Sequence, residues 1–214
     1  MTRLLTILAI GAWFVAAVWG GLLSIFSHPD VPPVSLGAFI LVPITGFLLT
    51  YALSAAFRTF TQQLDMRLLV GSHLWRFVGL GFVIGWLTGD LPAQFGIPEG
   101  LFDIIAALGA AILLIPLNRG EFPRRWLLVW NVFGLLDLIS AITVGVLYSN
   151  GTLGILSAGT VTTRVMTIFP VSLIPTFFVP LFVLVHLLVF VRLRRDAVRS
   201  AAPQLPNSIR HEFF

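Results

Sequence analysis

Residues 68–103 read LLVGSHLWRFVGLGFVIGWLTGDLPAQFGIPEGLFD, and this stretch decides the fold. Its first part is apolar over the length of about 20 residues that a membrane-crossing helix needs, yet it contains His73 and Arg76. An arginine at the centre of such a helix costs about 2.5–3.5 kcal/mol. We therefore expect Arg76 to face the protein interior, where another helix supplies a carboxylate.

The composition of the whole chain indicates a membrane protein. Of its 214 residues, 57% are hydrophobic and only 10% are charged, and the mean hydropathy is +0.99. Soluble domains carry about 25% charged residues. Cysteine is absent, which excludes disulfides, thiolate metal sites and cysteine catalysis.

Long apolar runs recur along the chain and predict an all-α fold, a polytopic transmembrane helical bundle. Their lengths are too great, and their patterns too continuous, for the alternating strands of a membrane barrel. We predict six spans in one domain of residues 1–192, at about 4–26, 36–57, 68–89, 101–117, 126–148 and 169–191. The polar residues 193–214 are predicted to form a disordered tail.

The arginines predict the orientation of these spans. All 13 basic residues are arginine, and they cluster at the ends of apolar runs, which indicates membrane orientation and not nucleic-acid binding. On the predicted cytoplasmic side lie Arg3, Arg58, Arg67, Arg119, Arg124, Arg125, Arg192, Arg194, Arg195, Arg199 and Arg210. Only Arg164 lies outside. We therefore predict two cytoplasmic termini, with the bacterial inner membrane as the location.

Several polar side chains are predicted to meet inside the membrane. At about 1.5 Å of rise per residue, His73 and His186 lie about 9 Å from the cytoplasmic ends of their spans, Arg76 about 13 Å and Asp137 about 18 Å. The candidate substrate or proton site comprises Arg76, Asp137, His186, His73, Asn131 and Asp103. For Asp103 the favoured alternative is a capping role, because it falls in the first turn of the predicted fourth span.

Three functions compete for this site. In the first, the protein translocates a small solute or protons; Asp137 exchanges the proton, Arg76 is its counter-charge or an anion ligand, and His186 is a relay. In the second, the Arg76–Asp137 pair only holds the bundle together, in a structural or interaction protein. In the third, His73 and His186 ligate a b-type haem.

An enzyme is not favoured. The sequence has no serine–histidine–acid arrangement and no phosphate loop. A metal-dependent intramembrane hydrolase using Asp103, Asp137 and the histidines is a weaker alternative, because zinc sites usually show three ligands at recognisable spacing. We predict no metal site.

The predicted partners are the lipid bilayer and, through one helix face, a second copy of the chain. Gly81, Gly85 and Gly89 recur every four residues, a spacing that lets another helix approach closely. The approaching helix could belong to the same chain or to another copy.

Four strings resemble those of an uncharacterised family of small multi-pass bacterial membrane proteins. They are Trp75 to Gly79, Leu91 to Asp103, Trp130 to Asp137, and Ile174 to Pro180 continuing to His186. The resemblance covers about residues 70–192 and includes Arg76, Asp103, Asn131, Asp137 and His186, which implies that these side chains form one site. Glu99 and Phe102 depart from the small residues of the corresponding loop. The resemblance implies no particular reaction.

Overall fold

The structure is a computed structural model that describes residues 1–27, 33–157 and 161–201, with side chains described up to residue 195 in the last range. The described residues form helices and turns, with no strand among them. Six helices are long and apolar enough to cross a membrane: Thr2–Leu22, Val34–Leu53, Met66–Leu87, Ala93–Asn118, Arg124–Leu147 and Ile174–Arg195. This confirms the prediction of an all-α fold with six spans, which are numbered below in this order.

The spans contribute unequally to the core. In the first and second spans, 17% and 11% of the residues in the most apolar window are buried, against 50% in the sixth. The first two spans expose large apolar side chains such as Leu8, Val15, Leu41 and Leu49, as expected of helices that contact lipid. The core therefore lies mainly between the third, fourth, fifth and sixth spans.

The third span starts at a capped helix end. The Asp65 side chain accepts a hydrogen bond from the Arg67 backbone N–H at 2.9 Å, which satisfies one of the free donors of the first turn. The Arg67 guanidinium also bonds this carboxylate, at 2.9 Å from Nε to Oδ2. The side-chain hydrogen bonds from Arg67, and to a smaller extent the one from its backbone, hold the pKa of Asp65 below its usual value.

The third span is not a uniform α-helix. It consists of α-helix Met66–Gly71, a 3₁₀ segment Ser72–Val78 and α-helix Gly79–Leu87. In a 3₁₀ helix, side chains three residues apart are eclipsed. The segment therefore projects His73 and Arg76 from the same side, towards the core.

The fourth span begins at Ala93, eight residues before the predicted start at residue 101. Pro98 and the glycines around it are typical of a loop, so the predicted start was too late. In the structure Pro98 lies within the helix. Gly96 and Gly100 allow close packing on the third span, because a Cβ at Gly100 would lie 2.7 Å from the Gly79 carbonyl oxygen. Tertiary packing thus overrides the local preference for a loop.

The sixth span begins with a π-helical turn, Ile174–Phe178, before its α-helix Val179–Ala201. Pro180 has no N–H to donate to the carbonyl four residues earlier, which is that of Thr176. The indole Nε1 of Trp13, in the first span, donates to this Thr176 carbonyl at 3.0 Å. The first span therefore supplies a hydrogen bond that the proline removes.

We expect Trp13→Phe to lower the free energy of unfolding by about 0.6–2 kcal/mol, the range of interhelical hydrogen bonds in membranes. The ring contact with Phe177, at 4.8 Å between centroids, is largely kept, so the loss reports the missing donor. Thermal unfolding in detergent measures it. Trp19→Phe is the matched control because Trp19 is exposed. Equal Tm values for the two variants would contradict the role of this bond.

The sixth helix continues to Ala201, past the boundary at residue 192 predicted for the membrane domain. Its last turns are rich in arginine, which is among the better helix formers. The first part of the predicted tail is therefore helical. Residues 202–214, on which the rest of that prediction falls, lie outside the described residues, as do residues 28–32 and 158–160.

Two apolar clusters close the core at its two ends. The larger comprises Met66, Leu69, Val70, Ala110, Leu113, Leu117, Leu127, Trp130, Val185, Leu188, Val189 and Leu193. This end also gathers arginines, since Arg192 donates to the Leu64 carbonyl and Arg124 to the Leu193 carbonyl; we call it the arginine-rich end. The opposite end holds Phe82, Leu91, Phe95 and Met166. Buried polar side chains lie between the two clusters.

Candidate functional site

Arg76 lies at the centre of these polar side chains and is only 1% exposed. Its Nε donates to Asp103 Oδ1 at 2.6 Å, and its Nη2 forms an ion pair with Asp137 Oδ2. Its Nη1 donates to the Gly134 carbonyl at 3.3 Å. The predicted pairing of Arg76 with Asp137 on another helix is thus present, and Asp103 is a second partner.

Asp103 does not cap a helix, contrary to the favoured prediction. Because the fourth span starts at Ala93, Asp103 lies ten residues inside it, about 15 Å along the axis. That position brings the carboxylate to the depth of Arg76. The error in the start of the span caused the error in the role.

Gly134 makes room for the centre of the site. A Cβ on this residue would lie 2.6 Å from His186 Nε2 and 3.1 Å from Arg76 Nη1. Both distances are shorter than ordinary van der Waals contact. A side chain at this position would therefore press on both the imidazole of His186 and the guanidinium of Arg76.

The two predicted histidines lie side by side. His73 and His186 are both 0% exposed, and their ring centroids are 4.2 Å apart. His186 Nδ1 is 2.9 Å from Asn131 Oδ1, so the imidazole donates to the amide oxygen from this nitrogen. The structure thus brings together all six predicted residues, and we call Arg76, Asp103, Asp137, Asn131, His186 and His73 the buried polar cluster.

The histidine geometry does not fit the haem alternative. Two histidines that ligate one haem iron must lie on opposite faces of the porphyrin. Rings whose centroids are 4.2 Å apart are in direct contact, and His73 also packs edge-on against Trp130 at 4.9 Å. A porphyrin has no space between these rings.

The hydrolase alternative lacks a set of metal ligands. Within residues 1–27, 33–157 and 161–195, no three histidine or acidic side chains are placed so that they could hold one metal ion. Asp103 and Asp137 instead face the same guanidinium. The carboxylates therefore already have a cationic partner.

Glu99 and Ser140 extend the cluster, and neither was predicted from the sequence as a site residue. Residue 99 falls between the predicted third and fourth spans, at 68–89 and 101–117, but Glu99 lies in the observed fourth span and is 1% exposed. Ser140 Oγ donates to Glu99 Oε1 at 2.9 Å. Glu99 and Asp103 are four residues apart on one helix, as neighbours on a helix surface are.

The fifth span carries these contacts at a regular interval of three residues. Asn131 meets His186, the Gly134 carbonyl and Asp137 meet Arg76, and Ser140 meets Glu99. We call this series the polar row. The spacing N-x-x-G-x-x-D-x-x-S is visible in the sequence and could have drawn attention to Gly134 and Ser140, although not to their partners.

Gly81, Gly85 and Gly89, the stripe of glycines predicted to let another helix approach, are not the residues at which another span packs closely on the third span. A Cβ at Gly81 or Gly89 would meet nothing within 4 Å among the described residues, and one at Gly85 would meet Leu91 of the following turn. The close approach to the fourth span occurs at Gly79 instead. Contact with a second copy through the stripe stays a prediction.

Comparison with known proteins gives a family and no activity. A family model described as a domain of unknown function, DUF8737, matches residues 32–194. This range contains the second to fifth spans, the sixth span up to residue 194, and every residue of the buried polar cluster. No curated protein and no solved structure matches the chain.

Proposed function

The chain belongs to the DUF8737 family, and from its buried polar cluster we propose that it is a multi-pass membrane protein that moves protons across the bilayer. The observation that carries this proposal is the polar row. Ser140 lies nine positions after Asn131, so the row extends over about 14 Å of helix. The hydrocarbon core of a membrane is about 30 Å thick, so the row bridges nearly half of it.

The cluster has the groups that a proton path needs. Two carboxylates share one guanidinium, and a neutral amide links the fifth span to His186. A proton on Asp137 would release its ion pair while Arg76 keeps Asp103 as a counter-charge. Ionisable groups inside membrane helices commonly mark such pathways. In this scheme Asp137 exchanges the proton and His186 relays it towards the arginine-rich end.

Protons are favoured over a larger solute because the polar groups contact each other directly. Arg76 bonds both aspartates and a carbonyl, so a solute could bind the guanidinium only after displacing one of them. A proton needs no such displacement. We propose the same orientation as the arginine distribution predicts, with both termini in the cytoplasm of a bacterium.

A structural role is the second candidate, and one observation favours it. Each of the three nitrogens of Arg76 has a partner. Buried charges that are fully paired can have a purely structural role, in which they fix how the helices pack. In that case the protein would carry no proton, and the cluster would specify the arrangement of the third, fourth and fifth spans.

Proton flux into vesicles separates the two candidates. Purified protein is reconstituted into liposomes, a potassium gradient with valinomycin sets the membrane potential, and an internal pH-sensitive dye records proton entry. We expect flux above that of protein-free vesicles. Asp137→Asn keeps the size of the side chain but cannot exchange the proton, so its flux should fall to the protein-free level.

Asp90→Asn is the matched control for this experiment. Asp90 lies in the turn after the third span, where it accepts a hydrogen bond from Thr88 Oγ1 at 2.7 Å, and it is exposed. The proton flux of Asp90→Asn should equal that of the unchanged protein. Absence of flux from the unchanged protein, or equal flux from Asp137→Asn, would reject proton movement in favour of the structural role.

A further inference from the structure

We infer that Glu99 binds a proton inside the membrane and exchanges it with Asp103, which makes Glu99 the end of the path that faces away from the arginine-rich end. Its proton binding is independent of the proposed function, whereas the exchange rests on it. The contacts of the Glu99 carboxyl group, the charges around it and its position in the fourth span support the inference.

The contacts of Glu99 suit a carboxylic acid better than a carboxylate. Oε1 accepts from Ser140 Oγ at 2.9 Å, whereas Oε2 is buried and has no hydrogen-bond partner among the described residues. An oxygen that is buried without a hydrogen-bond partner costs more when it belongs to an ionised carboxylate than when it belongs to a neutral acid. A proton on Oε2 removes the charge, with Oε1 as the carbonyl that Ser140 bonds.

The surrounding charges favour the same state. The charged groups that act on Glu99 most strongly are Asp103 and Arg76. Arg76 is already shared between Asp103 and Asp137. A third negative charge in this layer would have no cation of its own, and buried charges without partners are strongly destabilising.

The position of Glu99 defines the exchange. Glu99 lies one helical turn from Asp103 on the fourth span, and its partner Ser140 lies three residues from Asp137 on the fifth. Glu99 and Ser140 are therefore further from the arginine-rich end than the two aspartates are.

In the exchange, the O–H bond on Glu99 breaks and an O–H bond forms on Asp103, so the negative charge moves from Asp103 to Glu99. Arg76 keeps Asp137 as its partner, and Glu99 then takes up a new proton from the end that faces away from the arginines.

Infrared spectroscopy of the purified full-length protein tests the bound proton. A protonated carboxyl group gives a carbonyl stretching band that is separate from the bands of carboxylates and amides, and that shifts in D₂O. We expect such a band in the unchanged protein and in Asp90→Asn, and its loss or weakening in Glu99→Gln. Glutamine keeps the acceptor for Ser140, so the fold should be retained.

Ser140→Ala provides a second variant that keeps Glu99 itself. If Oε1 is the carbonyl of a protonated acid, removal of its hydrogen bond should move the band to higher frequency without abolishing it. A band that is the same in all variants, or absent from the unchanged protein, would overturn proton binding by Glu99.

Proton flux of Glu99→Gln in the vesicle experiment tests the exchange. We expect flux close to that of protein-free vesicles. Flux equal to that of the unchanged protein, together with loss of the infrared band, would overturn the exchange and leave the bound proton. A band that depends on Glu99 in a protein without any flux would overturn the proposed function and support proton binding alone.

Discussion

Replacement of Arg76 by methionine is expected to destabilise the protein by about 3–5 kcal/mol, the cost of removing one partner from a buried ion pair. The variant leaves Asp103 and Asp137 buried without their cation. Methionine keeps much of the length of the side chain, so the effect is mainly that of the charge. Thermal or denaturant unfolding in detergent measures the change.

Arg164→Met is the matched control because Arg164 is exposed in the segment between the fifth and sixth spans. We expect its stability to stay within about 0.5 kcal/mol of the unchanged protein, as for most surface substitutions. If the two variants unfold alike, the ion pairs of Arg76 do not stabilise the fold.

A triple variant separates charge from packing. Arg76→Met combined with Asp103→Asn and Asp137→Asn removes all three charges together, so no buried charge is left without a partner, which is what makes the single replacement costly. We expect it to be more stable than Arg76→Met alone and yet to give no proton flux. If the triple variant is no more stable than Arg76→Met alone, the packing of the guanidinium, and not its charge, stabilises the fold.

Replacement of Gly100 by alanine is expected to destabilise the protein by about 1–3 kcal/mol or more, because it forces apart two closely packed helices. The added Cβ would lie 2.7 Å from the Gly79 carbonyl oxygen and 3.1 Å from the Val83 amide nitrogen. These are backbone atoms, which cannot turn aside as the end of a side chain can. Asp103, one turn further along, should lose its contact with Arg76, so proton flux should fall as well.

Gly46→Ala is the control for this change. Gly46 lies in the second span, and a Cβ there would meet nothing within 4 Å in the part of the chain that the structure describes. Alanine is the better helix former by about 1 kcal/mol, so this variant should be as stable as the unchanged protein or slightly more stable. Unfolding of Gly100→Ala at the same temperature as Gly46→Ala would argue against close packing of the third and fourth spans.

The fold was largely predictable because the signal is local. An apolar run of about 20 residues has few alternatives to a membrane helix, and six such runs gave six spans. The same local reasoning predicted that Arg76 needs a carboxylate and found Asp137. It failed at the start of the fourth span, where Pro98 and the neighbouring glycines resemble a loop when packing against the third span is unknown.

The rest of the site depends on contacts between helices that no single stretch encodes. Glu99 was placed in a loop, and its burial follows only from the earlier start of the fourth span. Asp103 was read as a cap for the same reason. The 3₁₀ segment of the third span has no clear local signal, because its residues have no special preference for that helix type.

This 3₁₀ segment allows a screw-like movement of the third span. A 3₁₀ helix has about 3.0 residues per turn and rises about 2.0 Å per residue, against 3.6 and 1.5 Å for an α-helix. If its seven residues, Ser72–Val78, rewound as α-helix, the span would shorten by about 3.5 Å and one half would rotate by about 140° against the other. Arg76 lies inside this segment, so its guanidinium would turn relative to Asp103 and Asp137, which are held on other spans.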